Sequence, residues 1–241
     1  TVVILKDAAA KAIYGSKAAN GVVVIETRKP EAGTLKVTYK GDVNITVPDL
    51  TGYNLCNAQE KYEVDKAHGT YSDPWFWEQY LNNIQSEIAR GVDTYWLAKP
   101  LRTGIGQRHS VYLEGGDERL RYGIDLLYND IKGVMKGSDR QTFTGGFSLS
   151  YRYKNLLFRE QFSTTLNHAD DSPYGSFSEF AQLNPYWTPY DENGNLKKIA
   201  GSTGGGGLVG VTCGNPMWNA TIGTRNFSKY TGLTNNFYIE W

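Results

Sequence analysis

Three kinds of side chain in this 241-residue chain could do chemistry: carboxylate pairs, histidines, and aromatic rings set in polar loops. Asp170-Asp171 and Asp191-Glu192 are of the type that glycoside hydrolysis uses, two carboxyls flanking one bond. Adjacent residues point apart, and nothing in the sequence brings the two pairs together, so they read as solvated loop charges. Asp191, Asn193 and Asn195 have the one-three-five spacing of a calcium loop. The glycine, however, stands fourth instead of sixth, and Ser202 stands where a bidentate glutamate belongs, so DENGN reads as a hydrogen-bonded turn. His68, His109 and His168 lie far apart with no cysteine or acidic cluster at ligand spacing, which leaves a metal site without support. Cys56 and Cys213 form no C-x-x-C pair and indicate neither zinc nor redox chemistry, while a disulfide between them stays open. Gly205, Gly207 and Gly210 satisfy G-x-G-x-x-G, but no strand is expected before them and no helix after, so a flexible loop is the expectation. No cofactor is expected.

The aromatics are more informative. Tyr186, Trp187, Tyr190 and Trp218 cluster in a polar stretch, where flat apolar faces beside hydrogen-bonding groups suit sugar rings or peptide side chains. They are the candidate substrate-binding residues. The competing expectation is that the rings pack the loop against its neighbours or against a partner protein.

The elements that must position these residues are mostly strands. Charge is balanced, with 25 basic and 25 acidic residues, which gives no reason to propose nucleic acid as a partner. Aromatic content of 13 % with 27 glycines favours turns and strands over a helical bundle. No run of about 18 apolar residues exists, which excludes a membrane-spanning helix but not a barrel, whose strands alternate apolar and polar residues. Such alternation is clean over residues 34–47, with Leu35, Val37, Tyr39, Val43, Ile45 and Val47 on one face and Lys36, Thr38, Lys40, Asp42 and Asn44 on the other. It recurs over residues 141–153 and more weakly over 107–114, 120–128, 156–167 and 231–241, six strands in all. Strands of fourteen residues exceed the usual five or six of a globular sheet, whereas a tilted membrane strand needs about 9 to 11. The connections alternate long, short, long, short, long, as expected for a barrel with long extracellular loops and short periplasmic turns. Tyr151 and Tyr153, beside the Lys154-Asn155 turn, then fall in the periplasmic aromatic girdle. Helices are expected within residues 51–90, with Leu55, Ala58 and Tyr62 on one face, packed on the barrel mouth. Residues 168–228, rich in Gly, Asn, Pro and Tyr, are expected to be surface loop, partly mobile.

The opening stretch, LKDAAAKAIYGSKAANGVVVIETRKP, resembles the end of the plug domain in TonB-dependent outer-membrane transporters of the SusC/RagA type. Lys6-Asp7, an alanine run, the turn Tyr14-Gly15-Ser16, the segment ending in Asn20-Gly21 and a strand closing on basic residues follow in that family's order. PLRTGIGQRHSVYLEGG, LNPYWTPYDENGN, NPMWNA and NNFYIEW are similar to segments that open the barrel in the same branch. The resemblance implies an all-β fold with minor helices: residues 1–30 as the C-terminal part of a plug, with a short helix over 8–13 and a strand over 22–28. Residues 31–241 are then the first antiparallel strands and long extracellular loops of a transmembrane barrel that is incomplete in this chain, since such transporters close about twenty-two strands around a plugged lumen.

By the same resemblance the function is energised import of a large nutrient, glycan or oligopeptide, across the bacterial outer membrane. The expected partners are a SusD-like surface lipoprotein, the periplasmic TonB complex, and outer-membrane lipid, and no covalent chemistry is expected. Two alternatives belong beside it. One is a soluble secreted β-sandwich that binds or cleaves carbohydrate, supported by the aromatic content. The other is a siderophore or vitamin receptor of the wider TonB-dependent group, against which the SKAANG and NPMWNA segments argue.

Overall fold

A computed structural model of the chain describes residues 2–5, 12, 15, 21–25, 30–69, 74–202 and 212–241. Two short strands, β1 (Val2–Leu5) and β2 (Val22–Ile25), pair antiparallel, Val2 opposite Ile25 and Leu5 opposite Val22. The first was not anticipated from the sequence. Gly21, which leads into β2, has a φ of 94°, and a Cβ there would lie 3.2 Å from the Leu5 carbonyl oxygen. Glycine is required by both the backbone angle and the close approach. The expected helix over 8–13, apart from Ala12, and the last residues of the expected strand, 26–28, lie outside the described residues, as do Lys6, Asp7, Tyr14, Ser16 and Asn20.

Six long strands follow: β3 (Gly33–Thr46), β4 (Gly104–Gly116), β5 (Leu120–Lys132), β6 (Asp139–Tyr153), β7 (Leu156–Asp170) and β10 (Phe227–Glu240). They form one antiparallel sheet in the order β10-β7-β6-β5-β4-β3, an up-and-down meander in which each strand lies beside its neighbour in sequence. All six coincide with stretches of alternating polarity, because period-two side-chain placement is what a two-faced sheet demands. One rung of the outer face runs Val37, Leu113, Ile124, Phe147, Phe162, Asn235, and the next runs Tyr39, Val111, Leu126, Gly145, Thr164, Leu233. The opposite face is polar, with rungs such as Asp42, Arg108, Asn129, Thr142, Asn167, Tyr230.

The apolar band crosses the rungs obliquely. In the rung Val43, Gln107, Asp130, Gln141, His168, Lys229 only the β3 residue is apolar, whereas at the other end of the strands β10 continues apolar through Phe237 and Ile239. Among the described residues no second sheet covers this face, and Val43 is 72 % and Leu233 68 % exposed. A β-sandwich buries one face of each sheet against the other, so the soluble-sandwich alternative is corrected by this architecture.

The short-turn end is held by local chemistry. In the turn between β4 and β5, the Asp117 carboxylate accepts from the amides of Arg119 and Leu120, each at 2.7 Å. Lys154, at φ 55°, makes the two-residue turn between β6 and β7.

At the other end the two long insertions form a cap with its own core. Helix α1 (Ala58–His68) starts where the Asn57 side chain accepts from the Glu60 amide (2.8 Å) and the Glu60 carboxylate accepts from the Asn57 amide (2.9 Å). That cap leaves Leu55 outside the helix and 45 % exposed, not on its buried face with Ala58 and Tyr62 as the spacing suggested. Helix α2 (Pro74–Ala89) buries Tyr80 and Ile84. The second insertion holds α3 (Phe177–Ala181), β8 (Ile199–Ser202), its partner β9 (Thr212–Gly214) and α4 (Pro216–Asn219). Phe180, Tyr186, Trp187, Ala200 and Met217 from it join Ala58, Tyr62, Tyr80, Ile84, Trp96 and Leu97 in one cluster. The expectation of a loose surface loop is therefore corrected: hydrophobic burial, not loop composition, decides this segment. The glycine-rich G-x-G-x-x-G segment lies outside the described residues.

Candidate functional site

The cap core is stitched by polar groups that its burial forces to pair. The Tyr186 hydroxyl donates to the Asp65 carboxylate of α1 (2.9 Å) and shares a hydrogen bond with the Tyr80 hydroxyl of α2 (3.0 Å). Burial first, then these two neighbours, pushes the Tyr186 pKa far upward, so the phenol stays protonated. The Trp96 indole donates to the Asn184 carbonyl (2.9 Å), and the Thr94 amide to the Pro185 carbonyl (2.7 Å). In NPMWNA, Asn215 is buried and caps α4 by accepting from the Met217 amide (3.1 Å). Its amide donates to the carbonyls of Lys197 (2.7 Å) and Pro189 (3.0 Å), with Pro216 at the first helical turn.

Between α2 and the 186–202 segment opens a cleft of about 390 Å³. Asn83 and Glu87 line it from α2, Arg90 from just beyond the helix end, and Tyr190, Glu192, Lys197 and Gly201 from the other side. Arg90 is held by Glu87 (2.8 Å) and more loosely by Glu192 (3.6 Å). Lys197 donates to the Ala200 carbonyl (3.3 Å). Partial burial draws its pKa down, against the attraction of Glu87 and Asp191 and with the push of Arg90. Asp191 is spent on its own turn, accepting from the amides of Asn193 (2.9 Å) and Asn195 (2.8 Å), which hold its carboxyl below the usual range. The DENGN segment is thus a turn.

The four candidate rings separate. Tyr186, 2 % exposed, and Trp187, 9 % exposed, are core residues whose edges reach the cleft wall, and they meet each other edge to face at 5.9 Å. A Cβ on Gly201 would stand 2.3 Å from the Trp187 ring, so the indole lies flat on that glycine. Tyr190, 40 % exposed, lines the cleft, whereas Trp218, in α4, does not. The four rings do not form one platform: Tyr186 and Trp187 belong to the core, Trp218 is half-buried away from the cleft, and Tyr190 is the exposed ring beside it.

A second groove, of about 420 Å³, lies on the polar face of the sheet near the short turns, lined by Pro30, Tyr112, Arg121, Asp125, Arg152, Arg159 and Tyr238 among others. Arg159 donates to the Tyr238 hydroxyl (3.4 Å).

Of the carboxylates considered for catalysis, Asp170 pairs with His168 (3.0 Å), Asp191 with the amides of its own turn and Glu192 with Arg90. Both cysteines are free. Among the described residues no group of three or more potential ligands could hold a metal ion, and no helix is long and apolar enough to cross a membrane.

No family model matches the chain. The TonB-dependent receptor SusC of Bacteroides thetaiotaomicron is 30 % identical over 154 residues, 62 % of this chain and 14 % of that protein. The TonB-dependent receptor P39 of Formosa agariphila is 30 % identical over 156 residues, 64 % of the chain and 14 % of the relative. The TonB-dependent receptor P26 of the same organism aligns over the whole chain at 26 % identity, covering 23 % of its own length. The fold matches the RagAB peptide importer in its closed-closed state with a TM-score of 0.72 over 96 % of this chain and 29 % of that one, at 18 % identity, and in its open-open state with 0.69. This chain is similar to the SusC/RagA-type TonB-dependent receptors.

The SusC-like chain spans between 14 % and 23 % of the length of these curated relatives. Within it, sequence reasoning passed over Glu87, Arg90 and Lys197, whose only signal was the i,i+3 spacing of the first two on a helix. It also passed over Glu114 of β4, which alternation assigns to the polar face but which is only 2 % exposed.

Proposed function

We propose that this SusC-like chain serves TonB-dependent import of a large nutrient, glycan or oligopeptide, across the bacterial outer membrane. The observation that carries the reading is the wall: 13- to 15-residue antiparallel strands, apolar on one uncovered face and polar on the other, with the apolar band running diagonally as strand tilt requires. In this reading residues 31–241 are the first strands and extracellular loops of the barrel, and residues 1–30 end the plug. The plug motif Lys6, Asp7, Tyr14, Gly15, Ser16, Asn20 and Gly21 is structural. The cap receives a SusD-like lipoprotein, its cleft beside Tyr190 captures ligand, and the TonB complex acts from the periplasm. The protein works by binding and rearrangement, without covalent catalysis.

The test is genetic. A strain lacking the gene, grown on single polysaccharides and on peptide mixtures as sole carbon source, loses growth on one of them, and disabling the TonB complex causes the same loss. Unchanged growth on every source, or a loss indifferent to TonB, contradicts the proposal.

A further inference from the structure

Glu114 is among the most deeply buried charged residues described, its side chain 3 % exposed, on the polar face of β4 where the chain arriving from residue 30 meets the sheet. A carboxylate in that position is tolerated only if it is hydrogen-bonded or paired. Its Oε2 accepts from the backbone amide of Glu31 (3.2 Å), and its Oε1 lies 3.7 Å from the Lys36 ammonium. Lys36 is also its register partner, at the point where the β3–β4 pairing shifts by one residue between Gly33 and Lys36. Such a bulge bends the strand locally, here at the point where it follows residues 30 and 31. One residue earlier, Pro30 rests on β5: a Cβ at Gly123 would come within 3.0 Å of the Pro30 ring and 2.7 Å of the Ser148 hydroxyl. Two independent contacts, a carboxylate clasp on residue 31 and a glycine seat under residue 30, therefore pin the same junction to the inner wall.

We infer that Glu114 is a positioning residue that fixes where the plug is tethered to the barrel wall, by clasping the Glu31 amide while Gly123 seats Pro30. This rests on the plug-and-barrel reading and adds to it a defined anchor: rearrangement of the plug takes place upstream of residue 30, and the wall from β3 onward does not move with it. The clasp is specific to an acceptor side chain, since what it holds is a backbone amide that no substitution at position 31 other than proline removes.

The sequence supplies a probe, because Arg28 and Lys29 stand immediately before the seat and the bond between them is a trypsin site. The experiment is limited trypsinolysis of the full-length receptor in detergent, followed by mass measurement of the fragments, for wild type, Glu114→Ala, Glu114→Gln and Gly123→Ala. Pro30 and Glu31 follow that bond directly, so their release from the wall frees the chain that trypsin must bind and speeds cleavage after Arg28. Loss of a buried, charge-assisted hydrogen bond raises that population about tenfold or more, so Glu114→Ala is cut there about tenfold faster. Glu114→Gln, which keeps an acceptor oxygen, stays within about threefold of wild type. Gly123→Ala leaves Glu114 intact, crowds the Pro30 ring together with the Ser148 and Tyr112 hydroxyls and also accelerates the cut, which keeps the inference testable if Glu114→Ala fails to fold. Equal cleavage after Arg28 in wild type, Glu114→Ala and Gly123→Ala overturns the clasp, and so does a Glu114→Gln variant as labile as Glu114→Ala. Each preparation is checked for the gel shift between heated and unheated samples. Absence of that shift in the wild type counts against the barrel reading alone, whereas its presence with an unchanged cutting rate counts against the clasp alone.

Discussion

Trp187 and Tyr190 are three residues apart and do opposite things. Trp187 lies on Gly201 inside the cap, so Trp187→Ala removes a buried ring and is expected to cost about 3 kcal/mol or more of cap stability. Gly201→Ala forces a methyl into the same ring and costs about 1–3 kcal/mol by overpacking. Tyr190→Ala leaves stability within about 0.5 kcal/mol and lowers ligand affinity instead. Thermal unfolding followed by tryptophan fluorescence separates the two behaviours, and equal destabilisation by Trp187→Ala and Tyr190→Ala would contradict the division. From sequence Tyr186, Trp187 and Tyr190 looked equivalent, because PYWTPYDENGN is polar and turn-rich throughout. What buries Tyr186 is Tyr80, 106 positions away, and no local pattern carries that information. The turn itself was legible, since Asp, Asn and Gly make it without help from elsewhere. It also sets a pH dependence. The Asp191 carboxyl has a folded pKa below its ordinary value of 3.8, so its contribution to the turn is complete above 3.8 and is lost as pH falls through the lower, folded value. Protection factors for the Asn193 and Asn195 amides are expected to be flat from neutral pH to about 4 and to fall below it, and Asp191→Asn removes that fall. A decline beginning near pH 6 would point to another group.

At the scale of elements, the strands were readable wherever the two faces of the sheet differ in polarity, so that successive residues alternate. The alternation over residues 120–128 stops four residues before β5 ends at Lys132. There Asp130 and Lys132 take the outward positions while Ile131 faces the other way, so polarity reverses once the strand leaves the apolar band. The first helix was readable from apolar spacing and the second from a proline near its start and a glycine after its last turn, but not their depth, since burial of Tyr62 and Tyr80 depends on the second insertion. Phe147 and Ser148 test the face assignment directly. Phe147→Arg places a charge on the apolar face and is expected to cost about 2–4 kcal/mol in barrel stability. Ser148→Arg, on the polar face beside the groove, costs much less. Urea unfolding of the full-length receptor in detergent measures both, and equal sensitivity at the two positions would remove the basis for calling one face lipid-facing.

Across the whole molecule, wall and cap are stabilised by different means. Among the described residues the six long strands contribute none to the buried hydrophobic cluster, which the cap draws from two insertions that the sequence separates by the strands β4 to β7. Strand pairing was predictable from chain order, because an up-and-down meander pairs neighbours. The cap was not, because nothing in either insertion alone completes a hydrophobic cluster. In the proposed reading the strands form a membrane wall, and the two faces of β6 meet different environments. Spin labels placed singly along residues 142–151 of the full-length receptor in lipid bilayers, after Cys56→Ser and Cys213→Ser and removal of any other native cysteine, report that directly through accessibility to lipid-dissolved oxygen. The account predicts a two-residue period, high at Phe143, Phe147, Leu149 and Tyr151 and low at Thr142, Thr144, Ser148 and Ser150. A flat profile, or the opposite phase, would contradict it.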